Sequence, residues 1–333
     1  MFRVLNLPIE SLPERYSQDW QRWFENEFCR LNINHVQINP NSLSDKIQNG
    51  SFLDVAATHY YKAKQIEMVS EMMYNNLITD DDVFLFHDLW HPAIESLAYM
   101  RDGLGMKFKI VGCLHAGSYD PYDFLAKKGM NYWAEDIENG WFKIVDKIFV
   151  ATNFHKKLLL KKRKVDPKKI IVTGFPIYYE GKHLPKENII VFPHRLDSEK
   201  NPHLFAEVEL YFQKRGTDWK FIRTKDVCTT KQEYYDLLER SKIAVSFADQ
   251  ETWGICMQES LFAGCVPLVP DKLSYTEMYF PAFKYRDMRD FYIVLQSYMN
   301  LDVNKILLKE QQEILLKKGS AAIENMIEEM KRL

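Results

Sequence analysis

The chain has 333 residues, of which 46% are hydrophobic and 27% charged, so it is neither a disordered segment nor a collagen-like or disulfide-rich scaffold. Its 44 basic and 46 acidic residues leave a net charge of −2, which excludes a global electrostatic attraction to nucleic acid or to an anionic membrane. The five cysteines are scattered and form no C-x-x-C pair, so they indicate neither a zinc site nor a redox motif. We expect a reduced, cytoplasmic protein, with no signal peptide and no apolar run long enough to span a membrane.

Short apolar runs alternate with helical patterns in the first half of the chain. The apolar runs predict strands over residues 2–7, 35–38, 83–86, 108–114, 147–151 and 169–173. Helical spacing over residues 20–31 and 56–73 predicts two of the helices between them. Such alternation is typical of a parallel sheet with helices on both faces.

The same alternation restarts after residues 176–185, a turn-rich stretch that is typical of a connector. Strands are predicted over residues 188–192, 220–223, 243–247 and 266–269, and helices over 202–215, 232–240, 256–263 and 303–333. We therefore predict an α/β protein with two doubly wound, Rossmann-like domains that face a central cleft. The predicted domains are residues 1–177 and 178–310, with a terminal helical segment over 311–333. Two unrelated α/β domains are the alternative.

The most informative stretch is ETWGICMQE, residues 251–259, which follows a predicted strand and enters a predicted helix. Gly254 allows close backbone approach at the start of that helix, where free N–H groups favour an anion such as a diphosphate. Glu251 precedes the turn and Glu259 lies about two turns later, where they could accept hydrogen bonds from sugar hydroxyls. An ordinary helix start, with one acid near the cap and one on a solvated face, is the alternative for the two glutamates alone.

This stretch resembles the E-x7-E motif of retaining glycosyltransferases with the GT-B fold, close to the large family 4 type. Residues 192–201, FPHRLDSEKN, are similar to that family's strand–GRLxxxKG segment, and residues 261–269, LFAGCVPLV, to its helix–AxGxPVV segment. Glu277 falls where that family has a further glutamate. The chain departs from the family at His194 and Asn201, where the family has glycines, and it lacks the glycine pair of the first loop.

The resemblance implies that the second domain binds a nucleotide sugar, which we expect to be a UDP-sugar, and that transfer retains the anomeric configuration. Arg195 and Lys200 would neutralise the departing diphosphate, Arg195 through a bidentate contact and Lys200 as a point charge. Glu259 would hold the ribose. Glu251 would hold the transferred sugar together with the backbone of three residues, Trp253, Gly254 and Ile255.

No metal and no cofactor other than the nucleotide-sugar co-substrate are predicted. The acidic run Asp80-Asp81-Asp82 precedes a predicted strand at its amino end, which is the wrong side of a parallel sheet for catalysis. It predicts a solvated turn instead.

Two loops of the first domain, which follow the predicted strands 83–86 and 108–114, offer an acceptor site. Ligands of such sheets bind at the carboxyl ends of the strands. His115 matches a histidine that such enzymes place near the donor sugar, and Asp88 could accept a hydroxyl proton, so both are predicted to be catalytic together with Glu251. Packing within the loops is the alternative for the aromatic residues. The predicted acceptor contacts are Arg15, Tyr16, Trp90 and Tyr119.

Residues 155–169 hold eight cations and one acid, which could bind the phosphates of a nucleic acid or stabilise the carboxyl end of a helix. The sequence as a whole is similar to bacteriophage glycosyltransferases, some of which glycosylate modified bases in DNA. This similarity implies a DNA acceptor and a location in the host cytoplasm. A saccharide or lipid-linked acceptor is one alternative, and a non-catalytic sugar-nucleotide-binding or DNA-binding protein is another.

Overall fold

A computed structural model describes residues 2–12, 16–43, 54–182, 184–300 and 304–333. The chain divides into two compact units. Unit 1 comprises Met1–Pro176 together with Ala321–Leu333, and unit 2 comprises Ile177–Ser320. The sequence sets residues 311–333 apart as one terminal segment, whereas the structure divides them, since the chain returns to unit 1 for its last helix.

Unit 1 is built on a parallel sheet of six strands. These strands are β1 (Arg3–Leu7), β2 (Asn34–Gln37), β3 (Asp82–Phe86), β4 (Lys109–Cys113), β5 (Lys147–Val150) and β6 (Ile170–Val172). The helices are α1 (Tyr16–Arg30), α2 (Val55–Tyr74), α3 (Ala93–Leu104), α4 (Phe124–Lys127), α5 (Asn131–Ile144), α6 (Asn153–Lys162) and α14 (Ala322–Lys331). The strand order is β2-β1-β3-β4-β5-β6, so the direction of winding reverses between β1 and β3.

The central strand β3 shows why this sheet forms. All five of its residues are buried, and Phe84 packs edge-on against Phe108 with 5.0 Å between ring centroids. Its first residue corrects one prediction, because Asp82 is not solvated. Asp82 is 1% exposed and pairs at 2.7 Å with Arg3, its register partner on β1. Only the first two aspartates of the acidic run are exposed.

Unit 2 is built on a second parallel sheet, with five strands. These are β7 (Glu187–Phe192), β8 (Lys220–Arg223), β9 (Ser241–Val245), β10 (Val266–Pro270) and β11 (Lys284–Tyr285). The helices are α7 (Pro202–Gln213), α8 (Thr224–Val227), α9 (Lys231–Arg240), α10 (Ile255–Phe262), α11 (Tyr275–Met278), α12 (Met288–Asn300) and α13 (Lys305–Ser320). The strand order is β11-β10-β9-β7-β8, so the winding reverses between β7 and β9.

Two doubly wound parallel sheets confirm the predicted fold class. In each sheet the reversal of winding leaves a crevice outside the carboxyl ends of two adjacent strands, which is where open α/β sheets bind ligands. The sequence motifs follow β7 and β9 in unit 2, and one predicted acceptor loop follows β3 in unit 1. No helix in the part of the chain that the structure describes combines the length and the apolar character needed to cross a bilayer.

Candidate active site

The loops after β7 and β9 bring Lys200 and Glu251 together. The Nζ atom of Lys200 lies 3.3 Å from Oε2 of Glu251 and also donates a hydrogen bond to the carbonyl oxygen of Gln250. Their side chains are only 8% and 15% exposed. A cation and a carboxylate that the sequence places 51 residues apart therefore meet at the switch point of the unit 2 sheet.

The second carboxylate oxygen of Glu251 fixes the turn that follows it. Oε1 accepts hydrogen bonds from the backbone N–H groups of Thr252 at 3.1 Å, Trp253 at 3.3 Å and Gly254 at 2.7 Å. Burial alone would raise the pKa of Glu251, but Lys200 and these N–H groups outweigh it and hold the pKa below its usual value. Glu251 is therefore an ionised carboxylate at neutral pH.

Gly254 is required by the backbone at the start of α10. Its φ is +67°, a left-handed conformation that glycine adopts without steric cost, and a Cβ there would lie 3.0 Å from the ring of Tyr275. The helix begins at the next residue, Ile255. The preceding Trp253 is 3% exposed, and the Nζ of Lys318 on α13 lies 5.3 Å from the centroid of its ring. Lys318 is a cation at this loop that the sequence did not predict.

Arg195 lies on the same loop as Lys200 and forms ion pairs within that loop. Its guanidinium contacts Asp197 at 2.8 Å and Glu199 at 3.4 Å, and its side chain is 40% exposed. An incoming diphosphate would compete with these two carboxylates for Arg195.

His194 and Asn201 stand where the family that the sequence resembles has glycines, and the structure explains each residue separately. The Nδ1 atom of His194 lies 3.1 Å from the Sγ of Cys256, and burial lowers the pKa of His194 to about 3, so this ring is neutral. Asn201 has a φ of +53°, and asparagine is among the residues that best tolerate this region after glycine. Its Nδ2 donates to the carbonyl oxygen of Phe247 at 2.9 Å and to Asp249 at 2.7 Å. Asparagine thus keeps the left-handed turn that a glycine would allow.

Two tyrosines of α9 hold the second glutamate of the motif. The hydroxyl groups of Tyr234 and Tyr235 each donate to one oxygen of Glu259, both at 2.9 Å. Burial and the nearby Glu259 raise the pKa of Tyr234 well above its usual value, so it stays a protonated donor. The sequence missed both tyrosines, because adjacent aromatic residues on an amphipathic helix look like ordinary packing.

In unit 1, His115 lies just beyond the carboxyl end of β4. Its Nε2 donates a 2.7 Å hydrogen bond to the carbonyl oxygen of His87, so this ring nitrogen carries a proton. The ring packs against Tyr16, Trp20 and Phe175, with centroids 5.9, 5.0 and 4.8 Å away. The structure thus brings together two predicted site residues, His115 and Tyr16, beside the buried Trp20.

Asp88 follows β3 and is held from two sides. Its carboxylate lies 3.3 Å from the Nζ of Lys62 and accepts the backbone N–H of Trp90 at 3.1 Å. Burial opposes ionisation, but Lys62 and His115 outweigh it and lower the pKa of Asp88 below its usual value. A carboxylate with a lowered pKa is a weak base, so Asp88 suits a hydrogen-bonding role better than proton abstraction.

The remaining predicted acceptor contacts differ in their surroundings. Trp90 is half-buried and stands edge-on to Trp133 and Trp141 at 5.8 and 5.1 Å. Tyr119 is 3% exposed and its hydroxyl lies 2.6 Å from Nε2 of His155, an arrangement that favours the packing alternative for this residue. Arg15 lies outside the described residues.

The cationic run over residues 155–169 is not a uniform patch. Arg163 is buried, and the Nζ atoms of Lys156 and Lys169 donate to backbone carbonyl groups. The exposed cations of the run are Lys157, Lys161, Lys162, Lys164 and Lys168.

Within the described ranges, no three His, Cys, Asp or Glu side chains are grouped so that they could hold a metal ion. The predicted independence of metal is untested by this observation and stays a prediction.

Among known sequences, a mannosyltransferase is similar to part of this chain. No family model matches the chain. Over 149 residues the chain is 28% identical to a tRNA-queuosine alpha-mannosyltransferase from Drosophila melanogaster, a match that covers 34% of this chain and 40% of the fly protein. The matched segment thus spans less than half of that relative.

Several solved structures resemble the chain over most of its length. The catalytic domain of starch synthase IV from Arabidopsis thaliana, bound to ADP and acarbose, superposes with a TM-score of 0.66 at 10% identity and covers 100% of this chain and 99% of its own. The fold is GT-B. The pneumococcal O-GlcNAc transferase GtfA, in complex with UDP and GlcNAc, gives a TM-score of 0.60 at 9% identity, with 99% of each chain covered. S. aureus TarM in a complex containing UDP gives 0.55 at 15% identity, covering 81% of this chain and 58% of TarM.

Proposed function

We propose that the protein is a glycosyltransferase, which takes a sugar from a nucleoside diphosphate sugar and joins it to an acceptor hydroxyl. The observation that carries this proposal is the contact between Lys200 and Glu251 at the switch point of unit 2, in a chain with the GT-B fold. Lys200 supplies a positive charge where the diphosphate departs, and Glu251 is an ionised acceptor for the hydroxyls of the transferred sugar.

The other donor contacts follow from the same loops. Arg195 would exchange its carboxylate partners for diphosphate oxygens, and the backbone from Trp253 to Ile255 would face the donor at the start of α10. Glu259, already oriented by two tyrosines, would accept hydrogen bonds from the ribose.

The donor is proposed to be a UDP-sugar. GtfA and TarM were both crystallised with UDP, which supports this choice, whereas starch synthase IV was crystallised with ADP. A test of the donor therefore needs UDP-, ADP- and GDP-sugars side by side.

Retention of the anomeric configuration and independence of metal complete the proposed reaction. NMR of the anomeric proton of the product tests the first, and an inverted product would contradict it. Activity in the presence of EDTA tests the second. Activity lost to EDTA and restored by manganese would contradict metal independence.

The acceptor is proposed to be a hydroxyl on a modified nucleotide of a nucleic acid. The sequence predicts a modified base in DNA, and the relative from Drosophila melanogaster is named for a nucleoside of tRNA, so a nucleic acid is the class that both favour. His115 is the proposed catalytic group of unit 1. Asp88 is proposed to accept a hydrogen bond from the acceptor hydroxyl, with Tyr16, Trp90 and Arg15 as further acceptor contacts. A saccharide or lipid-linked acceptor remains the alternative.

The deciding experiment incubates the purified protein with each nucleotide sugar and with DNA, tRNA or oligosaccharide pools, and follows both nucleotide release and the mass of the acceptor. We expect release with one donor and a mass gain of one sugar on a nucleic acid. A mass gain on the oligosaccharides alone would overturn the nucleic-acid acceptor. Tight nucleotide binding without release would instead support a non-catalytic sugar-nucleotide-binding protein.

A further inference from the structure

A single buried carboxylate in unit 1 accepts hydrogen bonds from two different loops. Glu138, on α5, is 1% exposed. Its Oε1 accepts the backbone N–H of Ser118 at 2.7 Å and the indole N–H of Trp90 at 3.0 Å. Its Oε2 accepts the hydroxyl of Ser118 at 2.9 Å and the Nε of Arg163 at 2.7 Å.

Arg163 completes the charge balance of this cluster. Its guanidinium is 4% exposed and donates to the hydroxyl of Ser118 and to the carbonyl oxygen of Lys162, both at 2.8 Å. Burying two charges costs solvation free energy that their attraction only just offsets, and an apolar pair of similar size often stabilises a fold as well. We expect this hydrogen-bonded buried ion pair to specify one geometry of the loops more than to add stability.

The two loops held by Glu138 are the proposed acceptor loops. Trp90 lies two residues after Asp88 in the loop that follows β3, and Ser118 lies three residues after His115 in the loop that follows β4. The approach of the second loop requires glycine at position 117. A Cβ on Gly117 would lie 2.5 Å from the ring of Tyr119 and 2.8 Å from Oε1 of Glu138, both closer than real Cβ atoms come to a neighbour.

We propose that Glu138, paired with Arg163, is a positioning residue that holds the loops of Asp88 and His115 in register for the acceptor. This inference rests on the proposed glycosyltransferase function and goes beyond it, because Glu138 is distant in sequence from every motif. It predicts that disturbing Glu138 affects use of the acceptor and leaves the donor site in unit 2 unaffected.

Glu138→Gln tests the inference, because the amide keeps the shape of the side chain and replaces one acceptor oxygen by a donor. In either orientation that NH2 group faces an N–H donor, from Ser118 and Trp90 or from Arg163. We expect KM for the acceptor pool that the wild type glycosylates (DNA, tRNA or oligosaccharide) to rise roughly ten- to a hundredfold. The Kd for the donor nucleotide should stay at the wild-type value.

Glu239→Gln is the matched control. Glu239 is also a buried glutamate, 2% exposed, and it accepts the hydroxyl of Tyr179 at 2.8 Å and the backbone N–H of Lys182 at 3.2 Å in unit 2. Both variants should lower thermal stability, but only Glu138→Gln should raise the acceptor KM.

A milder variant keeps the inference falsifiable if Glu138→Gln does not fold. Ser118→Ala removes only the hydroxyl shared by Glu138 and Arg163, and it should raise the acceptor KM by a smaller factor. An acceptor KM equal to that of the wild type in every folded variant would overturn the inference while leaving the glycosyltransferase assignment intact. A wild-type protein that transfers no sugar would overturn both.

Discussion

The Nζ of Lys200 lies 3.3 Å from a carboxylate oxygen of Glu251, and this contact joins the two loops that the sequence predicts to bind the donor. It lowers the pKa of Glu251 although that side chain is buried. Glu251 is therefore ionised at neutral pH before a donor binds. A diphosphate that binds beside Lys200 meets a cation already oriented by its partner.

Replacing Lys200 by methionine should lower turnover with the nucleotide sugar. A lost hydrogen bond to a charged group typically costs about 1.5–3 kcal/mol, which corresponds to a roughly tenfold to more than hundredfold effect. Steady-state kinetics measure this change. Lys182→Met is the matched control, since Lys182 forms an exposed pair with Asp236 in the same unit, and it should leave turnover unchanged. Equal turnover in both variants would show that Lys200 is not part of the donor site.

The Glu251 carboxylate should make the stability of the protein depend on pH. Its pKa is lower in the folded state than the ordinary 4.5, so its ionisation stabilises the fold above that pH. This contribution is lost as the pH falls from 4.5 through the lower folded pKa. Urea denaturation measures the free energy of unfolding of the wild type and of Glu251→Gln. The difference between the two values should be constant near neutral pH and should become smaller in acid. A difference that grows in acid would contradict the assigned direction.

Asn201 should tolerate glycine better than alanine. Both substitutions lose the hydrogen bonds of Nδ2 to Phe247 and Asp249, but only alanine must carry a Cβ at a φ of +53°. That conformation costs a residue with a Cβ about 1–2 kcal/mol. Chemical denaturation should rank the wild type above Asn201→Gly and Asn201→Gly above Asn201→Ala. Alanine at least as stable as glycine would rule out this account of the loop.

The strand, turn and helix around Gly254 in unit 2 could be predicted because each has a signal in its own stretch of sequence. The strand–turn–helix signal around Gly254 depends on neighbours in sequence, namely the apolar run of β9, the glycine itself and the helical spacing of α10. The same holds for β3, whose apolar run begins one residue after Asp82. Such signals need no knowledge of the rest of the fold.

Features that depend on tertiary contacts could not be predicted from the sequence. Tyr234 meets Glu259 only because α9 and α10 pack on the same sheet, 25 residues apart in the chain. Glu138 looks like a polar residue of an amphipathic helix until Arg163 and Ser118 surround it. The strand β11 has two residues, too few to show any periodicity, and α12 that follows it was also missed. The cases of Tyr234 and Glu138 share one cause, which is that the partner lies on another element.

The two tyrosines that orient Glu259 should contribute to donor affinity. Tyr234→Phe and Tyr235→Phe each remove a hydroxyl donor to a carboxylate, so each should weaken nucleotide binding by roughly tenfold. Calorimetry measures the change. Tyr99→Phe, at a tyrosine that is 81% exposed in unit 1, is the control and should bind like the wild type. Unchanged affinity in both α9 variants would show that Glu259 needs no orientation.

The exposed lysines at the end of α6 should not take part in acceptor binding. They precede the start of β6, whereas the acceptor loops follow the carboxyl ends of β3 and β4. Each phosphate contact contributes about −0.9 to the log–log salt slope on duplex nucleic acid. We expect the triple replacement of Lys161, Lys162 and Lys164 by glutamine to leave the salt dependence of acceptor binding unchanged. The measurement is the slope of log affinity for the nucleic-acid acceptor against log salt concentration. A slope shallower by two or more would place a phosphate site there, as the sequence alone allowed.

The most direct test of the central claim is a calorimetric titration of UDP, GDP and ADP into the wild type and into Glu259→Ala. The account predicts one-to-one binding of one of these nucleotides to the wild type and a loss of affinity of roughly tenfold or more in the variant. No binding of any nucleotide to the wild type, or equal affinity in both proteins, would contradict a nucleotide-sugar site in unit 2.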